Sequence, residues 1–329
     1  MSDFIEHGGA LDAAIAAHGG TRSTWLDLST GINPVAYPVR DLPDDVWSAL
    51  PDSALHARCL EAARAYYAVP DWANIVAAPG TQAIIQWLPY LLPKQPVSII
   101  SPTYGEYGQV FSQAAWPVET RDELVAISGE GIVIVGHPNN PDGRTWDLQA
   151  CEAVLRDGAT LIIDEAFADL VPDQSLVSLA AQPNVLVLKS FGKFFGMAGL
   201  RLGFAVGQGD LIGRLRTLLG PWSVAGPALA IGAQALADDE WIAQTRGQVR
   251  QQSAELERLL VGADCALVGR TDLFVTVSHA QAATIADGLA RDHILVRRFD
   301  HSPDWLRFGL PGNATELSRL AGALQRVLP

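Results

Sequence analysis

Between residues 74 and 206, short apolar runs alternate with segments of helical length. Residues 75–78, 97–100, 132–135, 161–163, 185–188 and 202–206 are apolar apart from Ser98 and too short for helices. Strands of that kind, buried on both faces, predict a mostly parallel sheet with helices above and below. The intervening helices are expected at 81–88, through Ile84, Ile85 and Leu88, and at 147–156. An earlier helix is expected over 54–67, with Leu55, Leu60, Ala63 and Tyr67 on one side. Small residues and the Asn33-Pro34 pair make 26–34 read as a loop.

The last third has a different pattern. A long amphipathic helix is expected over 239–260, strands at 273–278, 294–298 and 305–310, and helices near 281–291 and 315–327. The chain is therefore α/β. Residues 35–227 form a large domain with a mostly parallel sheet. Residues 1–34 and 228–329 form a smaller α/β domain with the N-terminal segment attached.

One span, 217–237, carries no charge, but Gly220, Pro221, Gly226 and Pro227 break it. It reads as a loop and then a buried helix starting near Pro227, not a membrane span, which needs about 20 continuous apolar residues. Lys and Arg number 23 against 36 Asp and Glu, a net charge of −13. That surface repels nucleic acid and anionic lipid, and it leaves an anionic small molecule possible where arginines gather. Cys59, Cys151 and Cys265 lie far apart with no metal-binding or redox spacing. No metal is expected. The cysteine usage and an N-terminus without a basic-then-apolar leader fit the cytoplasm.

In parallel sheets, ligands bind outside the carboxyl ends of the strands. Each central strand here ends in a polar or glycine-rich tag: Gly80-Thr81-Gln82, Tyr104, Asn139-Asn140, Asp164, and Ser190 with Lys193. A lysine between glycines and aromatics is a usable amine nucleophile. Ser190 and Arg201 suit a phosphate, as do the amides of Gly80, Thr81 and Gln82 at a helix N-terminus. A ring cofactor with an aldehyde, a ring nitrogen and a phosphate would use every tag. Lys193 would form the Schiff base, Asp164 would pair with the ring nitrogen, Asn140 would bond the ring hydroxyl, and Tyr104 would stack on the ring.

The ordered motifs P-G-T-Q-A at 79–83, P-T-Y at 102–104, N-N-P-D-G at 139–143, D-E-A-F at 164–167 and S-F-G-K at 190–193 leading to Arg201 resemble one family. It is the fold-type I pyridoxal-phosphate enzymes of the class I/II aminotransferase group. The resemblance covers nearly the whole chain and implies pyridoxal 5'-phosphate and a homodimer.

His7-Gly8-Gly9, S-T-G-I-N-P at 29–34 and A-P-G-T-Q-A-I-I-Q-W-L-P at 78–89 are similar to one branch of that group. Its members decarboxylate L-threonine O-3-phosphate to (R)-1-amino-2-propanol O-2-phosphate for cobalamin biosynthesis. The resemblance implies that Arg307 holds the substrate carboxylate, with Arg297, favoured over Arg298, as a second cation. His7, Gly8, Gly9, Ser29 and Asn33 become candidates for the substrate phosphate. Asn140 is placed at both cofactor and substrate. Phe167 and Leu50 stand where many relatives have tyrosine. Transamination of a phosphorylated amino compound uses the same cofactor residues and stays open, as does, more remotely, non-catalytic cofactor binding.

Overall fold

A computed structural model describes residues 8–124, 131–156 and 158–328 of the chain. His7 lies outside the described residues. The described strands are β1 (Leu26–Leu28), β2 (Asn74–Ala78), β3 (Val97–Ile100), β4 (Val118–Arg121), β5 (Ile132–Gly136), β6 (Thr160–Asp164), β7 (Val185–Ser190), β8 (Gly203–Gly207), β9 (Ala266–Thr271), β10 (Phe274–Ser278), β11 (Ile294–Arg298) and β12 (Trp305–Gly309). The chain divides into two compact units. One holds residues 37–140 and 144–242, the other 1–36, 141–143 and 243–329.

The first unit is built on a seven-stranded sheet in the order β2-β8-β7-β6-β5-β3-β4. Only β8 runs against its neighbours β2 and β7; the remaining pairs are parallel. The mostly parallel α/β sheet expected from the apolar runs is present. On one face Val76, Val97, Ile99, Ile132, Ile134, Ile162, Leu186 and Leu188 pack against Ile84, Ile85, Leu88 and Leu91 of helix Thr81–Leu91. The spacing 84, 88, 91 keeps one stripe of that helix on the sheet, and each such side chain contributes about 1.5–3 kcal/mol by burial. Helix Glu106–Gln113 adds Tyr107, Val110 and Phe111 to the same core. Edge strand β4, Val-Glu-Thr-Arg, was not expected: its residues are half-buried or exposed, so they form no apolar run.

In the second unit the sheet order is β1-β11-β12-β10-β9. Residues 26–28, expected as a loop, form β1 and pair in parallel with β11, Leu26 opposite Ile294 and Leu28 opposite Val296. A three-residue strand whose partner lies near the other end of the chain leaves no periodic signal. Ile285 and Leu289 of helix Ala282–Arg291 and Leu320 and Leu324 of helix Ala314–Val327 are buried. The Asn313 side chain caps that last helix, accepting from the Glu316 N–H at 3.0 Å. Among the described residues, no helix is long and apolar enough to cross a membrane.

Candidate active site

The turn between β2 and helix Thr81–Leu91 is shaped by Gly80. Its φ is +85°, and a Cβ there would lie 2.6 Å from Arg201 Nη2. A residue without a side chain lets the guanidinium lie against the turn. Arg201 itself is left-handed, at φ 55° and ψ 57°, and its Nη1 donates to the Ala198 carbonyl at 3.1 Å. A non-glycine residue held there stores about 1–3 kcal/mol of strain, a pattern common at ligand sites. The first-turn N–H groups of Thr81 and Gln82 have no acceptor within their own helix, and Ser190 closes β7.

The other end of the site is built around Asp164, the last residue of β6. Its Oδ1 accepts from the Ala166 N–H at 3.0 Å and its Oδ2 from the Tyr107 hydroxyl at 2.7 Å. Burial pushes the Asp164 carboxyl up; those two hydrogen bonds and the Lys193 charge oppose it, and Glu165 adds to it. Lys193 sits in the single turn Phe191–Phe194 that follows β7, its Nζ 6.0 Å from the centre of the Phe167 ring.

Tyr104 is fixed by its hydroxyl, which donates to Gln82 Oε1 at 3.1 Å, while Gln82 Nε2 donates to Glu106 Oε2 at 2.5 Å. The Gln82 side chain is thus engaged by its neighbours, and its backbone N–H is what it offers an anion. Burial, then the charges of Glu106 and Asp164, raise the Tyr104 phenol, so it stays protonated. Asn139 braces two loops: its Oδ1 accepts from Thr103 Oγ1 at 2.6 Å and its Nδ2 donates to the Pro102 carbonyl at 2.8 Å. That brace places Tyr104 and Asn140, each one residue further along.

Gly80, Thr81, Gln82, Tyr104, Asn140, Asp164, Ser190, Lys193 and Arg201 line one cavity, which Phe167 also borders. This donor set fits pyridoxal 5'-phosphate. Amides, a hydroxyl and a guanidinium suit the phosphate at one end; a buried carboxylate and an amine suit the ring nitrogen and the aldehyde at the other.

In the second unit, Gly8, Ser29 and Arg307 meet. A Cβ on Gly8 would lie 2.2 Å from the Ser29 carbonyl oxygen and 3.5 Å from Arg307 Nη2. Arg307 Nη2 donates to that same carbonyl at 2.7 Å. The Gly9 N–H donates to Ser29 Oγ at 2.7 Å, and Ser29 Oγ donates to Asp27 Oδ1 at 2.6 Å. The Ser29 hydroxyl proton is therefore engaged by Asp27. Asn33 is buried and its Oδ1 accepts from the Val35 N–H at 3.0 Å. Arg307 is 6% exposed, its guanidinium 5.3 Å from the Phe274 ring centre. Burial, then the charge of Arg297, lowers its pKa to about 9, so it remains charged at pH 7. Arg297 lies opposite Arg307 across β11 and β12 and faces the Phe299 ring at 5.3 Å. Arg298 is exposed and paired with Asp287 at 3.0 Å.

The sequence pattern does not single out Tyr107, Glu106 or the role of Asn139. The one available signal is that Glu106 and Tyr107 follow Tyr104 closely, where the next helix begins.

Residues 45–324 match the family described as aminotransferase class I and II. A threonine-phosphate decarboxylase from Sinorhizobium sp is 42% identical, the alignment covering 99% of each chain. A threonine-phosphate decarboxylase from Pseudomonas aeruginosa is 37% identical over 98% of this chain and 97% of its own. The structure of a histidinol-phosphate aminotransferase from Sinorhizobium meliloti, in complex with pyridoxal-5'-phosphate, superimposes with a TM-score of 0.78 at 18% identity, over 100% of this chain and 95% of that one. The chain belongs to the class I and II aminotransferase family, the pyridoxal-phosphate enzymes of fold type I, and within it to the threonine-phosphate decarboxylase branch.

Proposed function

We propose that this chain is a pyridoxal-phosphate-dependent carbon–carbon lyase that converts L-threonine O-3-phosphate to (R)-1-amino-2-propanol O-2-phosphate and CO2, a step of cobalamin biosynthesis. The observation that carries this reading is the similarity, along the whole chain, to threonine-phosphate decarboxylases. When bound, the cofactor supplies an aldehyde that captures the substrate amino group and a cationic ring that withdraws the electron pair left when a bond to Cα breaks.

The chain's own residues supply the rest. The Thr81 and Gln82 amides at Gly80, with Ser190 and Arg201, would hold the cofactor phosphate. Asp164 would keep the proton on the ring nitrogen, Asn140 would bond the ring hydroxyl, and Tyr104 would offer its ring to the cofactor. Lys193 would hold the cofactor through its amine and, as an amine beside the reacting carbon, could supply the proton that Cα needs once CO2 is lost.

For the bond from Cα to the carboxylate to be the one that breaks, the substrate carboxylate would have to be held in one fixed orientation. Arg307 takes that part: it is charged, buried and planar, and a bidentate grip on a carboxylate fixes orientation as well as position. Arg297 adds a second cation. Gly8, Gly9, Ser29 and Asn33 are assigned to the substrate phosphate, with His7 as a further candidate.

The enzyme is proposed to act as a cytoplasmic homodimer. Trp47, Leu50 and Trp222 are 68%, 67% and 61% exposed in the first unit. Val46 abuts Gly226 at the start of the helix that Trp222 precedes. Large exposed apolar side chains would suit a subunit interface where they form one contiguous patch.

The reading is tested by identifying the product. The purified protein, loaded with cofactor and given L-threonine O-3-phosphate, is expected to yield the R amine phosphate by chiral chromatography. A 2-oxo acid phosphate as the main product would overturn the reading.

A further inference from the structure

Tyr107 lies outside the cavity yet reaches its most critical carboxylate. It is 1% exposed, in a core of aliphatic side chains from the sheet and helix Thr81–Leu91. Its ring meets that of Tyr104 edge-on, centroids 6.3 Å apart. Its hydroxyl donates to Asp164 Oδ2 at 2.7 Å, and the Ala166 N–H holds Oδ1 at 3.0 Å. Both oxygens are therefore tied, and the plane of the carboxylate is set. A phenylalanine would fill the same space without burying a hydroxyl, which has a cost unless that hydroxyl is bonded.

The direction of the bond is fixed as well. Burial and the Asp164 charge push the Tyr107 phenol well above its ordinary range, so it stays a neutral donor. The other charged groups acting on Asp164 are Lys193, which favours its ionised form, and Glu165, which opposes it. A hydrogen bond donated to a carboxylate stabilises the ionised form.

We propose that Tyr107 is a positioning residue, holding Asp164 ionised and aimed so that it keeps a proton on the ring nitrogen of the bound cofactor. This rests on the cofactor assignment but not on which reaction is catalysed, because its test uses no substrate.

The test compares binding of pyridoxal 5'-phosphate with that of its 1-deaza analogue, in which a CH replaces the ring nitrogen. The full-length protein and its Tyr107→Phe variant are freed of cofactor and titrated by fluorescence quenching. Loss of a hydrogen bond to a charged group predicts affinity for pyridoxal 5'-phosphate about tenfold weaker, with affinity for the analogue unchanged to within about twofold. In an Asp164→Asn background, adding Tyr107→Phe should weaken pyridoxal 5'-phosphate binding by less than about twofold. Equal weakening of both ligands would make Tyr107 merely structural and overturn the proposal, as would no weakening of either. A full additional loss in the Asp164→Asn background would also overturn it.

Discussion

Glu165 and Lys189 form a buried ion pair one residue after Asp164 and one residue before Ser190. Glu165 is 0% exposed and Lys189 2%. Glu165 Oε2 also accepts from Ser175 Oγ at 2.7 Å, and Oε1 accepts from the Leu176 N–H at 2.6 Å. The Lys189 ammonium faces the Tyr67 ring at 5.0 Å. The pair thus ties β6 to β7 beside the residues that carry the site. Removing one partner leaves a buried charge uncompensated. Lys189→Met is expected to cost about 3–5 kcal/mol, and Lys189→Met combined with Glu165→Leu distinctly less. Urea denaturation midpoints of the two variants check this; a double variant as unstable as the single one would contradict it.

Gly80→Ala forces a side chain into a left-handed turn and against Arg201. Strain and displacement of the guanidinium together should weaken cofactor binding by about 10- to 100-fold. Equilibrium dialysis of the cofactor measures this, and affinity equal to that of the unmodified protein would remove Arg201 from the phosphate site.

Arg307→Ala should lower kcat/KM for the phosphorylated amino acid by an amount worth about 2–5 kcal/mol, the loss typical of a buried charge-assisted contact. Arg307→Lys should recover only part of that, because an ammonium lacks the planar fork. The absorbance of the lysine-bound cofactor should be unchanged in both, since Arg307 is not among the residues that line the cofactor cavity.

His137 gives a pH prediction. Its Nδ1 accepts from the Trp146 N–H at 3.0 Å and its Nε2 contacts the Gln174 carbonyl at 2.7 Å, so the neutral ring carries its proton on Nε2. Burial, foremost, lowers its pKa below 6.5. The unfolded chain therefore binds this proton more readily than the folded one. Its contribution to stability is complete above pH 6.5 and is lost as the pH falls through the lower folded value. In an NMR titration the His137 ring resonances should move only below the ordinary histidine range. Movement centred above 6.5 would contradict the buried, neutral assignment.

The first-unit sheet is legible because strands buried on both faces read as apolar runs, each stopped by the polar residue that enters the cavity. Gly80, Tyr104, Asn140, Asp164 and Lys193 are found by that rule, and all line the same cavity. Tyr107 is not. On its own helix it looks like any core aromatic, and its meaning comes from β6, far along the chain. β1 and β4 escape for a similar reason: one is three residues long with a distant partner, the other is an exposed edge. The engagement of Ser29 by Asp27 depends on a turn whose side-chain bonds no periodicity reveals.

The most direct measurement is CO2 released from L-threonine O-3-phosphate by the cofactor-loaded enzyme, with and without 2-oxoglutarate, with glutamate followed in parallel. The expected result is one CO2 per substrate consumed at a rate independent of 2-oxoglutarate, with no glutamate formed. Glutamate accumulating in step with substrate loss, and CO2 absent, would make the chain an aminotransferase.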